Sequence, residues 1–171
     1  MHYRGLLRVV RREAGIRIYA AHEHATSPRD AATRRAHIDG LVDIVVGKYA
    51  PLPASSLSTL VRRLRYAAPQ WTSQLGAALE RAKRRLVHAR VEGIDWYWPA
   101  GDPSAANEAN EDVRLLAPFD PIVWDRRRFE ILWGWAYRFE AYTPVPKRKL
   151  GYYALPMLWR DRVIGWANVS V

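Results

Sequence analysis

Leu57, Leu60, Val61 and Leu64 stand at i, i+3, i+4 and i+7, which places four apolar side chains on one face of a helix. Tyr66-Ala67-Ala68-Pro69 ends that helix, because proline disfavours the helical conformation in the residue before it. Leu75, Ala78, Leu79, Ala82 and Leu86 repeat the spacing and predict a second helix, whose other faces carry Glu80, Arg81, Lys83, Arg84 and Arg85. Ile38, Leu41, Val42, Val45 and Tyr49 line an earlier helix that ends before Pro51. Ser27-Pro28-x-Asp30 supplies its start, with a Ser cap, Pro at the first position and an acid in the first turn.

Two segments carry a different pattern. LLRVVRREAGIRIY (6–19) and LVHARVEGIDWY (86–97) are β-rich runs broken by a glycine turn, and each predicts a hairpin. Helix, break, basic helix and hairpin is the order of a winged helix-turn-helix, with the first hairpin as the tail and wing of a preceding copy. GDPSAANEANED lacks apolar periodicity and reads as a linker. Beyond it, Asp120-Pro121 opens a short helix toward Gly134, with Phe129, Leu132 and Trp133 facing inward. Trp135, Tyr137, Phe139 and Ala141 alternate with polar or small residues as in a strand. GYYALPMLW and RVIGWANV predict two more strands around Arg160-Asp161-Arg162.

The fold class is therefore α+β, winged helix-turn-helix units followed by a small β-rich, barrel-like domain. The expected organisation is residues 1–24 as tail and wing, 25–100 as linking helix and winged helix, 101–118 as acidic linker and 119–171 as the β-rich part. The chain begins and ends inside elements and reads as part of something longer.

Composition sharpens this. The 171 residues carry a net charge of +10, which favours a polyanionic partner, nucleic acid before an acidic membrane. Excess base lies in 54–100 and 119–171 and excess acid in 101–118. With 8 Trp, aromatic rings are left over for stacking after the core is filled. The absence of cysteine excludes disulfides, thiolate nucleophiles and cysteine-based zinc sites. No signal peptide or membrane span is apparent, so a cytoplasmic, nucleoid-associated protein is expected. His2, His22, His24, His37 and His88 have no ligand spacing with acids, and no metal site is assigned.

Three clusters are candidate DNA contacts. Arg81, Lys83, Arg84 and Arg85 lie on the basic helix beside the wing, where phosphate contact competes with a plain solvated face. Lys147, Arg148 and Lys149 sit on a proline-bounded turn beside Tyr152 and Tyr153, whose rings either stack on a base or belong to the sheet core. Arg126, Arg127 and Arg128 follow Asp120 and Asp125. Successive helical residues diverge by about 100°, so the three arginines cannot all point one way. Asp120 is expected to cap the helix and Asp125 to pair with a scaffold arginine, leaving at least one arginine for phosphate.

The residues also carry a resemblance. LLAPFDPIVWDRRR through FEAYTPVPKRKLGYYALPML, the segment RVEGIDWYWPA and the N-terminal YRGLLRVVRRE are similar to the YcaQ-type (AlkZ-like) winged-helix DNA glycosylases. That resemblance implies tandem winged helices and a small β-barrel. It also implies double-stranded DNA, alkylated or crosslinked, as partner, and excision of alkylated bases or unhooking of interstrand crosslinks without metal or small-molecule cofactor. The family's Gln-x-Asp or Gln-x-Gln motif orients a water and stabilises charge developing on the sugar. The glutamines of this chain, in Gln70-Trp71-Thr72 and Gln74-Leu75-Gly76, do not match it, so no catalytic residue is assigned. A non-catalytic DNA-binding or regulatory protein, and a protein–protein module, remain as alternatives.

Overall fold

A computed structural model of the protein describes residues 6–22, 30–101 and 111–169. His2, His24 and the expected Ser27-Pro28 helix start lie outside them. The chain divides into two units, residues 1–36 and 37–171, with the boundary inside helix α1 (Ala31–Tyr49).

In the first unit, β1 (Leu7–Glu13) and β2 (Ile16–Ala21) form an antiparallel hairpin from Leu7↔Ala21 to Glu13↔Ile16. Ala14 and Gly15 have φ of 46° and 81°, the pair of positive values a two-residue turn needs to follow the strand twist. Glu92 and Gly93, at 51° and 78°, make the same turn in the second hairpin, so the sequence echo is one local device used twice. Helix α1 is capped by Asp30, whose Oδ1 accepts the Thr33 N–H at 2.7 Å. The acid expected in the first turn is thus the cap itself.

In the second unit, α1 is followed by β3 (Leu52–Pro53), α2 (Ala54–Ala67), a 3-10 segment (Pro69–Gln74), α3 (Leu75–Arg85), β4 (Val87–Val91) and β5 (Ile94–Trp98). Ile38, Val42, Val46, Leu57, Val61, Ala78 and Ala82 interlock the three helices in one apolar core. In α2 and α3 the spacing that predicted the helix also buries it, whereas in α1 Val46, outside the predicted set, is buried with Ile38 and Val42 while Leu41, Val45 and Tyr49 are half-buried. Sheet order is β3-β5-β4, with β3 pairing Leu52 to Tyr97 and Pro53 to Trp96.

A second core gathers Leu116, Val123, Phe129, Tyr137, Ala154 and Leu158. Around it run β6 (Val113–Leu115), α4 (Pro121–Trp124), α5 (Arg126–Trp133), β7 (Ala154–Trp159) and β8 (Arg162–Asn168), with sheet order β6-β7-β8. Among the described residues this sheet is three-stranded and open, and no closed barrel forms. The molecule is α+β, with small antiparallel sheets beside helices.

Several expectations need correction. The single helix from Asp120 is two, because Asp125 leaves helical geometry and caps α5 through the Arg128 N–H at 3.1 Å. Asp120 caps α4 through the Ile122 N–H at 2.8 Å. Leu132, expected inside, is 39% exposed. Residues 135–139 alternate in burial but pair with no strand, and Glu140, expected on the polar side, is buried. Their alternation comes from packing onto β7, where the Tyr137 hydroxyl donates to the Ala154 carbonyl at 2.8 Å. Of the expected linker, residues 102–110 lie outside the described residues, and residues 113–115 pair with β7.

Candidate nucleic-acid interface

The basic face of α3 is largely engaged. Arg81 grips Asp39 of α1 with Nε at 3.0 Å and Nη2 at 2.7 Å, a bidentate geometry that holds its guanidinium charged. Arg85 reaches Asp43 at 2.6 Å and Asp39 at 3.7 Å, and Lys83 meets Glu80 at 2.9 Å. Only Arg84 of the four is exposed with no hydrogen bond or ion pair described for it. The periodicity correctly placed these cations off the apolar face. The acids at Asp39 and Asp43 fall one helical turn apart and meet Arg81 and Arg85, which are also one turn apart.

The three arginines after Asp125 divide by depth. Arg128 is 3% exposed, and its guanidinium donates to the carbonyls of Tyr49, Pro121 and Ile122. Burial pushes its pKa down, against the Asp125 charge that favours the charged form. Arg126 is partly buried, donates to Val123 and Pro118 carbonyls, and lies 4.4 Å from the Tyr137 ring centroid. Both guanidinium groups, expected among the DNA contacts, are engaged with backbone carbonyls. Asp125 pairs with the Arg128 backbone rather than with a guanidinium. Arg127 alone is exposed.

Arg127 opens onto α2. With Ser55, Thr59, Arg63 and Trp124 it lines a cleft of about 420 Å³. Arg63 is exposed, with its guanidinium over the Trp124 ring at 4.6 Å. The cleft continues into a second hollow lined by Thr59, Arg62, Arg63, Arg65 and Tyr66. Arg62, Arg63, Arg65 and Arg127 are all exposed, and none pairs with a carboxylate among the described residues. Arg65 donates to the Tyr66 hydroxyl at 2.6 Å, and guanidinium groups without carboxylate partners along one open groove can donate to a row of phosphate oxygens.

The α2 arginines escaped the sequence reading, although two signals mark them. They fall opposite Leu57, Leu60, Val61 and Leu64, and no acid occurs between Asp43 and Glu80. The α3 cluster looked stronger because its cations are consecutive, but acids lie within reach of it.

Lys147 and Lys149 are exposed, whereas Arg148 donates Nε to the Thr143 carbonyl at 2.8 Å and sits 5.0 Å from the Tyr152 ring. Tyr152 is 59% exposed, while Tyr153 meets Phe139 edge-on at 5.3 Å. Neither lies within the β7 strand. The loop is anchored by Glu140, whose buried carboxylate accepts the Leu150 and Lys149 N–H groups at 2.7 and 2.8 Å. Those bonds, Leu150 first, hold the Glu140 pKa below the ordinary carboxylate value. Among the described residues no three His, Asp or Glu side chains gather in a way that could hold a metal. No helix among them is long and apolar enough to cross a membrane.

A protein-family model described as DNA glycosylase AlkZ-like matches residues 1–170. No solved structure matches the chain.

Proposed function

Since the chain belongs to the AlkZ-like DNA glycosylase family, we propose that it grips double-stranded DNA for a repair reaction in which an alkylated base is removed, or an interstrand crosslink unhooked, by hydrolysis of the N-glycosidic bond. The observation that carries this reading is the set of exposed arginines, Arg62, Arg63 and Arg65 with Arg127, along an open groove whose wall includes Asp125 but where none of the four forms an ion pair with a carboxylate among the described residues. Each phosphate neutralised there releases condensed counterions, so affinity comes with a steep salt dependence.

The order α1, β3, α2, α3 and the β4–β5 hairpin supports a winged-helix reading of residues 37–98. In that reading Arg84 on α3 and Arg90 in the wing stay exposed for further contact, and Lys147 and Lys149 extend the grip from the C-terminal loop. A glycosylase must also hold the duplex while a nucleotide leaves the stack, which a rigid basic groove serves.

A second reading has its own support. Gln70 and Gln74 lie in the 3-10 segment between α2 and α3, and neither is followed two residues later by Asp or Gln. A non-catalytic DNA-binding role for this chain fits that absence. Titrating the 171-residue protein into labelled duplex, plain and carrying an N7-alkylated guanine, separates the readings. Salt is varied, and the same samples are then heated in alkali to cleave abasic sites. Salt-steep binding with abasic product supports glycosylase action, and the same binding without product supports the gripping role alone. Absence of binding at low salt rejects DNA as the partner.

A further inference from the structure

The loop between α5 and β7 displays aromatic rings that the cores do not use. Phe139 is the hub, with Phe119 at 5.6 Å, Tyr142 at 6.1 Å and Tyr153 at 5.3 Å, each in an edge-on arrangement. Tyr142 is 92% exposed and Phe119 is 67% exposed. Large apolar surface of this kind on a charged protein marks an interaction site more often than chance exposure.

The platform is held in place rather than loosely tethered. The Thr143 N–H donates to the Glu140 carbonyl at 2.9 Å, and Arg148 returns a bond to the Thr143 carbonyl at 2.8 Å. Asn168 of β8 accepts the Tyr153 N–H at 3.2 Å and donates to the Leu150 carbonyl at 2.8 Å. Gly151, at φ of 115°, lets the chain pass so close to Asn168 that an added Cβ would lie 2.4 Å from it. The rim is cationic: Lys147 and Lys149 are exposed, and Arg148 stacks on Tyr152. The single carboxylate of the loop, Glu140, is buried and spent on backbone N–H groups.

Rigid exposed rings beside cations match an unpaired nucleotide, whose base has two apolar faces and whose phosphate carries one negative charge. A blunt duplex hides its base faces and offers only phosphates. We propose that this loop binds an unpaired base of DNA, stacking it on Tyr142 or Tyr152 while Lys147 and Lys149 hold the flanking phosphates, so that the protein prefers duplex DNA with an adjoining single-stranded segment. The proposal rests on DNA being the partner, but it assigns a separate surface and a separate preference.

The test uses the full chain with a blunt duplex and the same duplex extended by a short single-stranded tail containing 2-aminopurine. Stacking of one base predicts about tenfold tighter binding of the tailed DNA, with quenching of the 2-aminopurine emission. Tyr142→Ala and Tyr152→Ala together should abolish both the preference and the quenching while blunt-duplex binding is kept. The corresponding Phe substitutions should retain them, because stacking needs the ring and not the hydroxyl. Equal binding of the two DNAs overturns the platform while leaving DNA recognition intact, as does a preference that survives both Ala changes. Loss of binding to every DNA overturns both readings. Binding to anionic vesicles in place of tailed DNA, lost in the same Ala variant, assigns the platform to a membrane and overturns the proposal.

Discussion

The guanidinium of Arg128 donates to the backbone carbonyl of Tyr49, 79 positions earlier in the chain. The same group donates to Pro121 and Ile122, so one buried cation joins the end of α1 to the first turn of α4. Trp124 reinforces the junction by packing 5.7 Å from Tyr49. The cleft that holds Arg63 and Arg127 is built on this joint, since Trp124 is part of its wall.

Arg128→Ala leaves the carbonyls of Tyr49, Pro121 and Ile122, all on half-buried residues, without this donor. An unsatisfied buried acceptor costs about 1–3 kcal/mol, so the variant should lose roughly 3 kcal/mol or more of stability. Arg128→Lys should recover little, because an ammonium cannot reproduce the fork geometry. Urea unfolding followed by tryptophan fluorescence checks both. A loss below about 1 kcal/mol would show that the junction is not held by this side chain.

The α2 and α3 cations should separate cleanly in function. Arg63→Ala and Arg127→Ala each remove an exposed cation, and each should lower the salt slope of duplex binding by about one unit with little change in stability. Arg81→Ala should do the opposite. Its loss removes the bidentate partner of Asp39 at a partly buried position and leaves the longer Arg85 contact, costing about 1–2 kcal/mol of stability while the salt slope stays near that of the unaltered protein. Fluorescence anisotropy across a salt series beside urea melts distinguishes these patterns. Equal slope changes in all three variants would reject the division.

Much of this architecture is written in local patterns. Each helix of the first core follows the 3.6-residue spacing of its buried residues, and both glycine hairpins follow from turn chemistry. What local patterns do not carry is the partner of each charge. Asp39 and Arg81 are 42 positions apart, and only the packing of α1 against α3 reveals that they meet. Arg128 looked like its neighbours in sequence, yet the break at Asp125 turns it inward and leaves Arg127 outside. The alternation at Trp135–Phe139 reported burial faithfully, but ladder pairing depends on a neighbour strand that the sequence does not name. Phe119 and Tyr142 gave no signal as a pair because their common contact, Phe139, is brought between them only by the fold.

Gly151→Ala should be destabilising in a specific way. The new methyl group would overlap the Asn168 carboxamide, and φ of 115° disfavours any side chain. Displacing Asn168 breaks its bonds to Tyr153 and Leu150, so the loop that carries Lys149 and Tyr152 should loosen before the helices do. Hydrogen exchange resolved by peptide is the appropriate measurement. Faster exchange confined to about residues 140–153, with the α1–α3 core unchanged, is expected.

Glu140 makes the same loop sensitive to acid. Its pKa is lowered in the folded protein, chiefly by the Leu150 N–H and then by Lys149 and Gly151, from an ordinary value of 4.5. A depressed carboxylate pKa means that the folded state binds its proton less readily than the unfolded chain does. The stabilisation is therefore fully present above the ordinary value and is lost as pH falls below it through the lowered folded value. Glu140→Gln removes the titration while keeping the shape. Its melting temperature should lie below that of the unaltered protein at neutral pH, and the gap should close as the solution is acidified through that window. Thermal melts at a series of pH values measure the gap directly. A gap that stays constant from neutral to strongly acidic pH would mean that the carboxylate charge is not what anchors the loop.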